Sequence, residues 1–198
     1  MAGIREQKKA GTRKAIIESA IELFSTKGFE KTSIEDIAKR AGIGKATVYT
    51  YFAAKADIFM TYCDDELDVA FADLAKSEQY ASCLLDELLE FFMIMFTFVT
   101  RNREFGRQLM RAMSFPKEVN NKVKEHDQRY FDYLEKIFRR AEQRGEIAPN
   151  QDLFVLSAHV FSLYFGVLAG WYGGYSETLD DAKEMLGTFF NQVIEGIS

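Results

Sequence analysis

Apolar residues return every three or four positions through almost the whole chain and do not alternate with polar ones over any strand-length run, so the sequence predicts an all-α protein. A first helix is expected over about Thr12 to Lys27, with Ile17, Ala20, Ile21 and Phe24 on one face and Gly28 as its stop. Ser33 followed three residues later by Asp36 makes a capping-box-like start for a second helix. That helix puts Ile34, Ile37, Ala38 and Ala41 inward and ends at Gly42. The third, Gly44 to Phe52, buries Val48 and Phe52 and leaves Lys45, Thr47, Tyr49, Thr50 and Tyr51 facing out. A fourth, about Lys55 to Ser77, carries Phe59, Cys63, Leu67, Ala70 and Leu74 in one stripe opposite Asp64, Asp65 and Asp68. The periodicity continues in helices over about Ser82 to Thr100, Glu104 to Ser114, Pro116 to Arg144, Gln151 to Gly173 and Thr178 to Gly196. Pro116 and Pro149 stand where helices should start, and Val119 and His126 lie on the inward stripe of the seventh.

Two short helices joined by a tight glycine turn, T-S-I-E-D-I-A-K-R-A-G-I-G-K-A-T-V-Y-T-Y-F-A-A-K from Thr32 to Lys55, have the shape of a helix-turn-helix that places its second helix in a DNA major groove. The outward residues of that helix are donors and aromatics, the side chains a groove can use. The segment G-I-G-K-A-T-V-Y-T-Y-F-A-A-K resembles the signature of the tetracycline-repressor (TetR) family of bacterial transcriptional regulators, and R-K-A-I-I-E-S-A-I-E-L-F-S-T-K-G-F-E-K-T-S resembles that family's first helix and turn. The specific likeness covers about residues 10 to 60, and the rest matches only in helical layout. The resemblance implies that Thr32, Ser33, Thr47, Tyr49, Tyr51 and Lys55 contact mainly phosphates, with Gly44, Lys45, Ala46 and Thr50 nearest the base edges. Of these, Lys45 and Thr50 can read a base by hydrogen bonds, Lys45 most naturally a guanine. The family often has Ser or Asn just before the lysine that opens the fourth helix. Here Ala53 and Ala54 stand there, and a looser helix start is expected.

Charge separates the two ends. The chain is acidic overall, at −5, yet residues 1–55 hold 11 Lys and Arg against 6 Asp and Glu. Residues 56–198 hold 14 against 24. A basic helix-turn-helix domain over 1–54 and an acidic helical regulatory, ligand-binding and dimerisation domain over 55–198 are therefore expected. Lys8, Lys9, Arg13 and Lys14 fit either a flexible cationic arm on the DNA or a solvated leader.

From Leu153 to Ser176 there is no Asp, Glu, Lys or Arg, a length that would span a bilayer, with Gly166, Gly170 and Gly174 at four-residue spacing. No Lys or Arg cluster flanks it, and His159, Ser157 and Ser162 dilute it, so no membrane is expected. An all-round apolar helix is otherwise buried on every side, which a homodimer would accomplish. The ninth helix offers a matching stripe at Leu179, Ala182, Leu186, Phe189, Val193 and Ile197. Gly166, Gly170, Leu186, Phe189 and Val193 are thus the candidate interface of a two-fold dimer, and TetR-like regulators dimerise in this manner.

The chain holds 18 Phe, 9 Tyr and 7 Met, concentrated at residues 91–99, 110–115 and 160–165. A well-filled core and an aromatic cavity for a small lipophilic or planar effector both fit that pattern, and the resemblance favours the cavity. Its candidate lining is Phe92, Phe96, Met110, Met113, His126, Tyr130, His159 and Tyr164, with the histidines and Tyr130 orienting the ligand. Cys63 and Cys83 are isolated, without metal spacing, and two histidines supply no catalytic constellation, so no metal, cofactor or enzymatic activity is expected. The opening residues are basic without an apolar core, so no secretory leader is expected. The sequence reads as a cytoplasmic, nucleoid-associated bacterial repressor that leaves a palindromic operator when an apolar effector binds. A regulator controlled by a protein partner without a small ligand is the alternative.

Overall fold

The computed structural model describes residues 3–77, 83–114 and 121–197. Among the described residues there are α-helices and no strand: α1 (Ile4–Lys27), α2 (Ile34–Arg40), α3 (Lys45–Tyr51), α4 (Lys55–Ser77), α5 (Leu84–Thr100), α6 (Arg103–Ser114), α7 (Asn121–Gln143), α8 (Leu153–Gly173) and α9 (Leu179–Ile197). The chain divides into two compact units, Met1–Val69 with Arg101–Val123, and Ala70–Thr100 with Lys124–Ser198.

In the first unit, α1 and α2 pack through Ile16, Ala20, Phe24, Ile37 and Ala38, all buried, and Val48 and Phe52 of the α3 segment close the same core. The expected Ser33–Asp36 capping box is present, with Asp36 N–H donating to Ser33 Oγ and Ser33 N–H to Asp36 Oδ2. Gly42, at φ 69°, ends α2 in the left-handed conformation, so that Ile43 N–H reaches Ala38 O at 3.0 Å. Ion pairs from Lys27 to Asp36 (2.7 Å) and from Arg40 to Glu22 tie α1 to α2. A chain of aromatic rings joins this core to α6: Phe24 to Phe29 (4.8 Å), Phe29 to Phe59 (5.8 Å), Phe59 to Phe105 (5.0 Å) and Phe105 to Tyr62 (5.5 Å).

Two helix starts differ from expectation. The first helix begins at Ile4 rather than Thr12, so Lys8 and Lys9 sit on an exposed helical turn instead of an extended arm. Gly11 weakens that turn, but the Thr12 hydroxyl donates back to Lys8 O at 3.0 Å, and no proline interrupts it. The fourth helix begins at Lys55, and its start has a partner despite the two alanines. Asp57 reaches back and accepts the Ala54 N–H at 3.0 Å, which is half of a capping box. The seventh helix is described from Asn121, and Pro116 and Val119 lie outside the described residues.

The second unit is built on α5, whose Leu88, Phe91, Phe92, Met95, Phe96 and Val99 are buried. Helix α9 packs against both α5 and α8. Glu87, 4% exposed, brings a carboxylate into this interior. Arg140 Nε and Arg144 Nη1 donate to it at 2.8 and 2.7 Å, which offsets the desolvation of a buried charge. Arg144 also pairs with Glu146, and Glu146 accepts the N–H of Leu84 at the start of α5. Helix α8 has the length and composition to cross a membrane, and only 33% of its most apolar window is buried within the chain. Its buried positions are Leu156, Val160, Tyr164, Val167 and Leu168.

Candidate nucleic-acid interface and regulatory interior

Packing of Val48 (0% exposed) and Phe52 fixes which side of α3 faces out. Gly44, Lys45, Ala46, Tyr49 and Thr50 are exposed, and Thr47 and Tyr51 are half-buried at the flanks. Gly44 and Ala46 add almost no side chain, so the backbone at the start of α3 can approach a base edge closely. The Thr50 hydroxyl donates to Ala46 O at 3.1 Å, which leaves its lone pairs to accept from a base amino group. Ser33 lies at the start of α2 on the exposed surface.

Two expected phosphate contacts point elsewhere. Thr32 is 2% exposed, and its hydroxyl donates to Gly28 O at 2.8 Å, closing the turn after α1. Lys55 directs Nζ at three carbonyl oxygens, Phe29 (2.6 Å), Thr32 (3.2 Å) and Glu30 (3.3 Å), and holds it 4.4 Å from the centre of the Phe29 ring. An ammonium has three N–H donors, and these carbonyls account for them. Both residues brace the α1–α2 turn from within the protein. Of the basic residues near the chain start, Arg13 pairs with Asp65 at 3.5 Å and lies over Phe52, while Lys14 pairs with Glu18. A half-open cleft of about 350 Å³ lies beside them, lined by Ala10, Arg13, Lys14, Ile17, Glu18 and Asp65.

In the second unit the expected effector residues meet in part. Phe92 and Tyr164 stack at 4.8 Å, Phe96 lies 6.3 Å from Tyr164, and Tyr130 reaches the group through Phe161 at 5.9 Å. His126, 2% exposed, packs 5.3 Å from Tyr130. Burial holds the Tyr164 phenol well above its ordinary pKa, so it stays a neutral donor. His159 is exposed on α8 and does not join them, because its helix turns Leu156 and Val160 inward. Met110 belongs to the first unit, and the side chain of Met113 lies outside the described residues. The sequence expectation passes over Asp127, whose Oδ1 is shut off from water without a hydrogen-bond donor. Its position in the polar run K-E-H-D-Q-R disguised it, although it falls in register with the apolar Leu134 and Phe138.

Among the expected interface residues, Gly166 is exposed, and Gly170, Phe189 and Val193 are half-buried. Leu186 is 0% exposed inside its own chain, because α9 uses it to pack on α5 and α8, so it belongs to the core and not to a surface. Cys63 is buried on α4, and burial, with Asp64 and Glu66 nearby, pushes its thiol well above the ordinary range, leaving a non-nucleophilic packing residue.

A capped, three-helix unit that presents a polar, glycine-led helix defines a helix-turn-helix DNA-binding regulator. The family model of bacterial regulatory proteins of the tetR family matches residues 16–60. The chain belongs to the TetR family of transcriptional regulators. It is 23% identical over 182 residues to the fatty acid metabolism regulator protein of Bacillus subtilis, covering 91% of this chain and 90% of that protein. Its fold is shared with Thermus thermophilus FadR, a TetR-family repressor solved in complex with lauroyl-CoA: TM-score 0.78, 20% identity, 94% of this chain and 95% of that one. Bacillus subtilis FadR in complex with stearoyl-CoA is similar too, with TM-score 0.72 and 19% identity over 93% of this chain and 98% of that one.

Proposed function

We propose that this regulator is a cytoplasmic homodimeric repressor that sits on a palindromic operator and is released by a small apolar or aromatic ligand. The observation that carries the DNA half is the outward face of α3, where Lys45, Tyr49 and Thr50 stand exposed on a helix whose other side is locked by Val48. In this reading residues 1–54 read the operator and 55–198 sense and dimerise. Lys45 and Thr50 address bases, Ser33, Thr47, Tyr49 and Tyr51 address phosphates, and Thr32 and Lys55 act as internal braces. Two-fold pairing is supported by α8, apolar throughout yet largely uncovered, with Phe154 and Val155 55% and 51% exposed. The partner would cover the Gly166 and Gly170 face together with Phe189 and Val193.

The Phe-, Tyr- and Met-rich interior of the second unit supports an apolar ligand, and the lauroyl-CoA and stearoyl-CoA complexes of the similar structures put acyl thioesters first among probes. Such a ligand releases DNA only if it binds the non-DNA conformer more tightly than the DNA-bound one. Recognition helices of a dimer must lie about 34–36 Å apart to enter successive major grooves, so a small tilt of α4 is enough to lose the operator. The test is fluorescence anisotropy on duplexes tiled across the DNA upstream of its own gene, against random duplex, with and without lauroyl-CoA, stearoyl-CoA and a panel of planar aromatics. One preferred palindrome, two subunits per site, and release by a member of the panel are expected. Equal affinity for all duplexes would remove the DNA half. Tight operator binding that no compound alters would remove the ligand half and favour control by a protein partner.

A further inference from the structure

The carboxylate of Asp127 stands on the wrong side of its helix for a solvent-facing group. Seven and eleven residues further along α7, on the same face, come Leu134 and Phe138, both 0% exposed. Oδ1 has no access to water and no hydrogen-bond donor. A carboxylate oxygen in that condition forfeits hydration without replacement, which costs about 1–3 kcal/mol or more for a charged group. Folding alone gives this sequence no reason to keep an acid there.

The surroundings say what would satisfy it. One helical turn on, Tyr130 and Phe131 project beside Asp127 at the i+3 and i+4 positions. Both rings meet Phe161 of α8, at 5.9 and 5.5 Å, and Phe161 continues to Tyr164 at 6.2 Å. An acceptor without a donor, set against the negative faces of several rings, is complementary to an organic cation, which needs no directional hydrogen bond and gains from each ring face. Neighbouring groups do not supply that charge in the structure. Arg129 lies over Phe71, and the Gln128 amide donates to Asp132. Burial raises the Asp127 carboxyl above its ordinary pKa, with His126 opposing the shift, as expected of an acid waiting for a counter-charge.

We infer that Asp127, with Tyr130 and Phe161, forms a subsite for the positively charged head of a lipophilic organic cation, a quaternary ammonium or protonated amine on an apolar body that extends toward Tyr164. This rests on the ligand-responsive reading above and narrows its effector from apolar molecules in general to cationic ones.

Matched probes decide it: decyltrimethylammonium, decanoate and decanol share one chain and differ in head charge. Binding to the full-length protein is read from the fluorescence of Trp171, which packs 5.4 Å from Phe96 in the same unit, and release is read from operator anisotropy. The cation should bind at least about tenfold more tightly than either of the other two, the factor that about 1.4 kcal/mol produces. Asp127→Asn should erase that preference, so that cation and decanol bind within about threefold of each other, and Asp127→Glu should restore part of it. Asp127→Asn replaces a desolvated charge by a near-isosteric amide, so its melting temperature should not fall. Decanoate or decanol matching the cation, or a preference that survives Asp127→Asn, overturns the inference. If decanoate or decanol releases the operator while the cation does not, the ligand-responsive reading stands and this subsite falls. If none of the three binds or releases, while acyl-CoA or planar probes do, the subsite again falls alone; if nothing releases the operator, both fall.

Discussion

Replacing Lys55 distinguishes a DNA contact from an internal brace. In Lys55→Met the aliphatic stem stays and the ammonium goes, so the carbonyls of Phe29, Glu30 and Thr32 lose their shared donor and the Phe29 ring loses its cation. One of the three bonds is short, at 2.6 Å, and two are long, at 3.2 and 3.3 Å. A charge-assisted hydrogen bond contributes about 1.5–3 kcal/mol net, and an exposed cation–π contact about 0.5–1 kcal/mol. Glu30 is exposed, so water can re-solvate part of the turn and the two long bonds add little. The expected loss is about 2–3 kcal/mol of stability in the first unit, read as a lower urea midpoint at constant slope. Operator affinity should fall with it because α2 and α3 are held less firmly. The slope of log affinity against log salt should not change, since a phosphate contact is worth about 0.9 in that slope and Lys55 makes none here. An unchanged urea midpoint with a salt slope flattened by about one unit would return Lys55 to the DNA and refute the brace.

The other predictions concern separate parts of the chain. Lys45→Ala should cost about 1–3 kcal/mol on the operator and relax preference at one position, visible as a smaller gap between operator and random duplex in anisotropy titrations. Asp36, whose carboxyl is held well below the usual carboxylate range first by the Lys27 ammonium and then by the Ser33 amide and hydroxyl, contributes stability that is present above its unfolded pKa. That contribution is lost as pH falls through the depressed folded value, so melting curves of the native protein and Asp36→Asn should differ most above about pH 4 and converge in stronger acid. At the α5–α7 junction, removing Arg140 and Arg144 together (to Met) strands the Glu87 carboxylate and should cost about 3–5 kcal/mol. Glu87→Gln leaves two partly exposed guanidiniums that water can reach, and chemical denaturation should show the smaller loss.

The helices were legible wherever the sequence carried its own punctuation. Ser33, Asp36 and Gly42 bracket α2 with side-chain and backbone bonds that are local, and the structure contains each of them. The start of α1 was not legible, because Gly11 reads as a boundary by propensity while the Thr12 back-bond and the absence of proline carry the helix through it. Asp57 capping Ala54 escaped for the opposite reason: the motif was sought at the cap position, and the side chain that supplies the bond lies three residues on. Tertiary partners were the least legible. Lys55 looks like a free cation in sequence, and only the folded α1–α2 turn brings three carbonyls from residues 29–32 to its Nζ. His159 and Leu186 show the same limit on face assignment. A helix apolar all round, like α8, gives periodicity no purchase on which side is inward, and on α9 one stripe must serve both core and surface.

The aromatic chain from Phe24 to Phe105 bears on how a ligand signal reaches DNA. A sequence reading puts the lever at the contact of α4 with α6, through Phe59 or Cys63 against Leu109 or Met113. Phe59 packs on Phe105 of α6, one turn before Leu109, and the same ring touches Phe24 and Phe29 beside the α1–α2 turn. Arg111 of α6 pairs with Glu30 of that turn at 3.9 Å, and Arg101 pairs with Glu66 and lies over Tyr62 of α4. Interlocked rings resist sliding, because close-packed contacts change in discrete steps and not continuously. Helix α6 is therefore part of the core that orients α3, and a displacement of α6 would be passed to the α1–α2 turn and to α4 together. The turn that Lys55 braces is thus both a stabilising element and a place where that displacement would be felt by the DNA-reading helix.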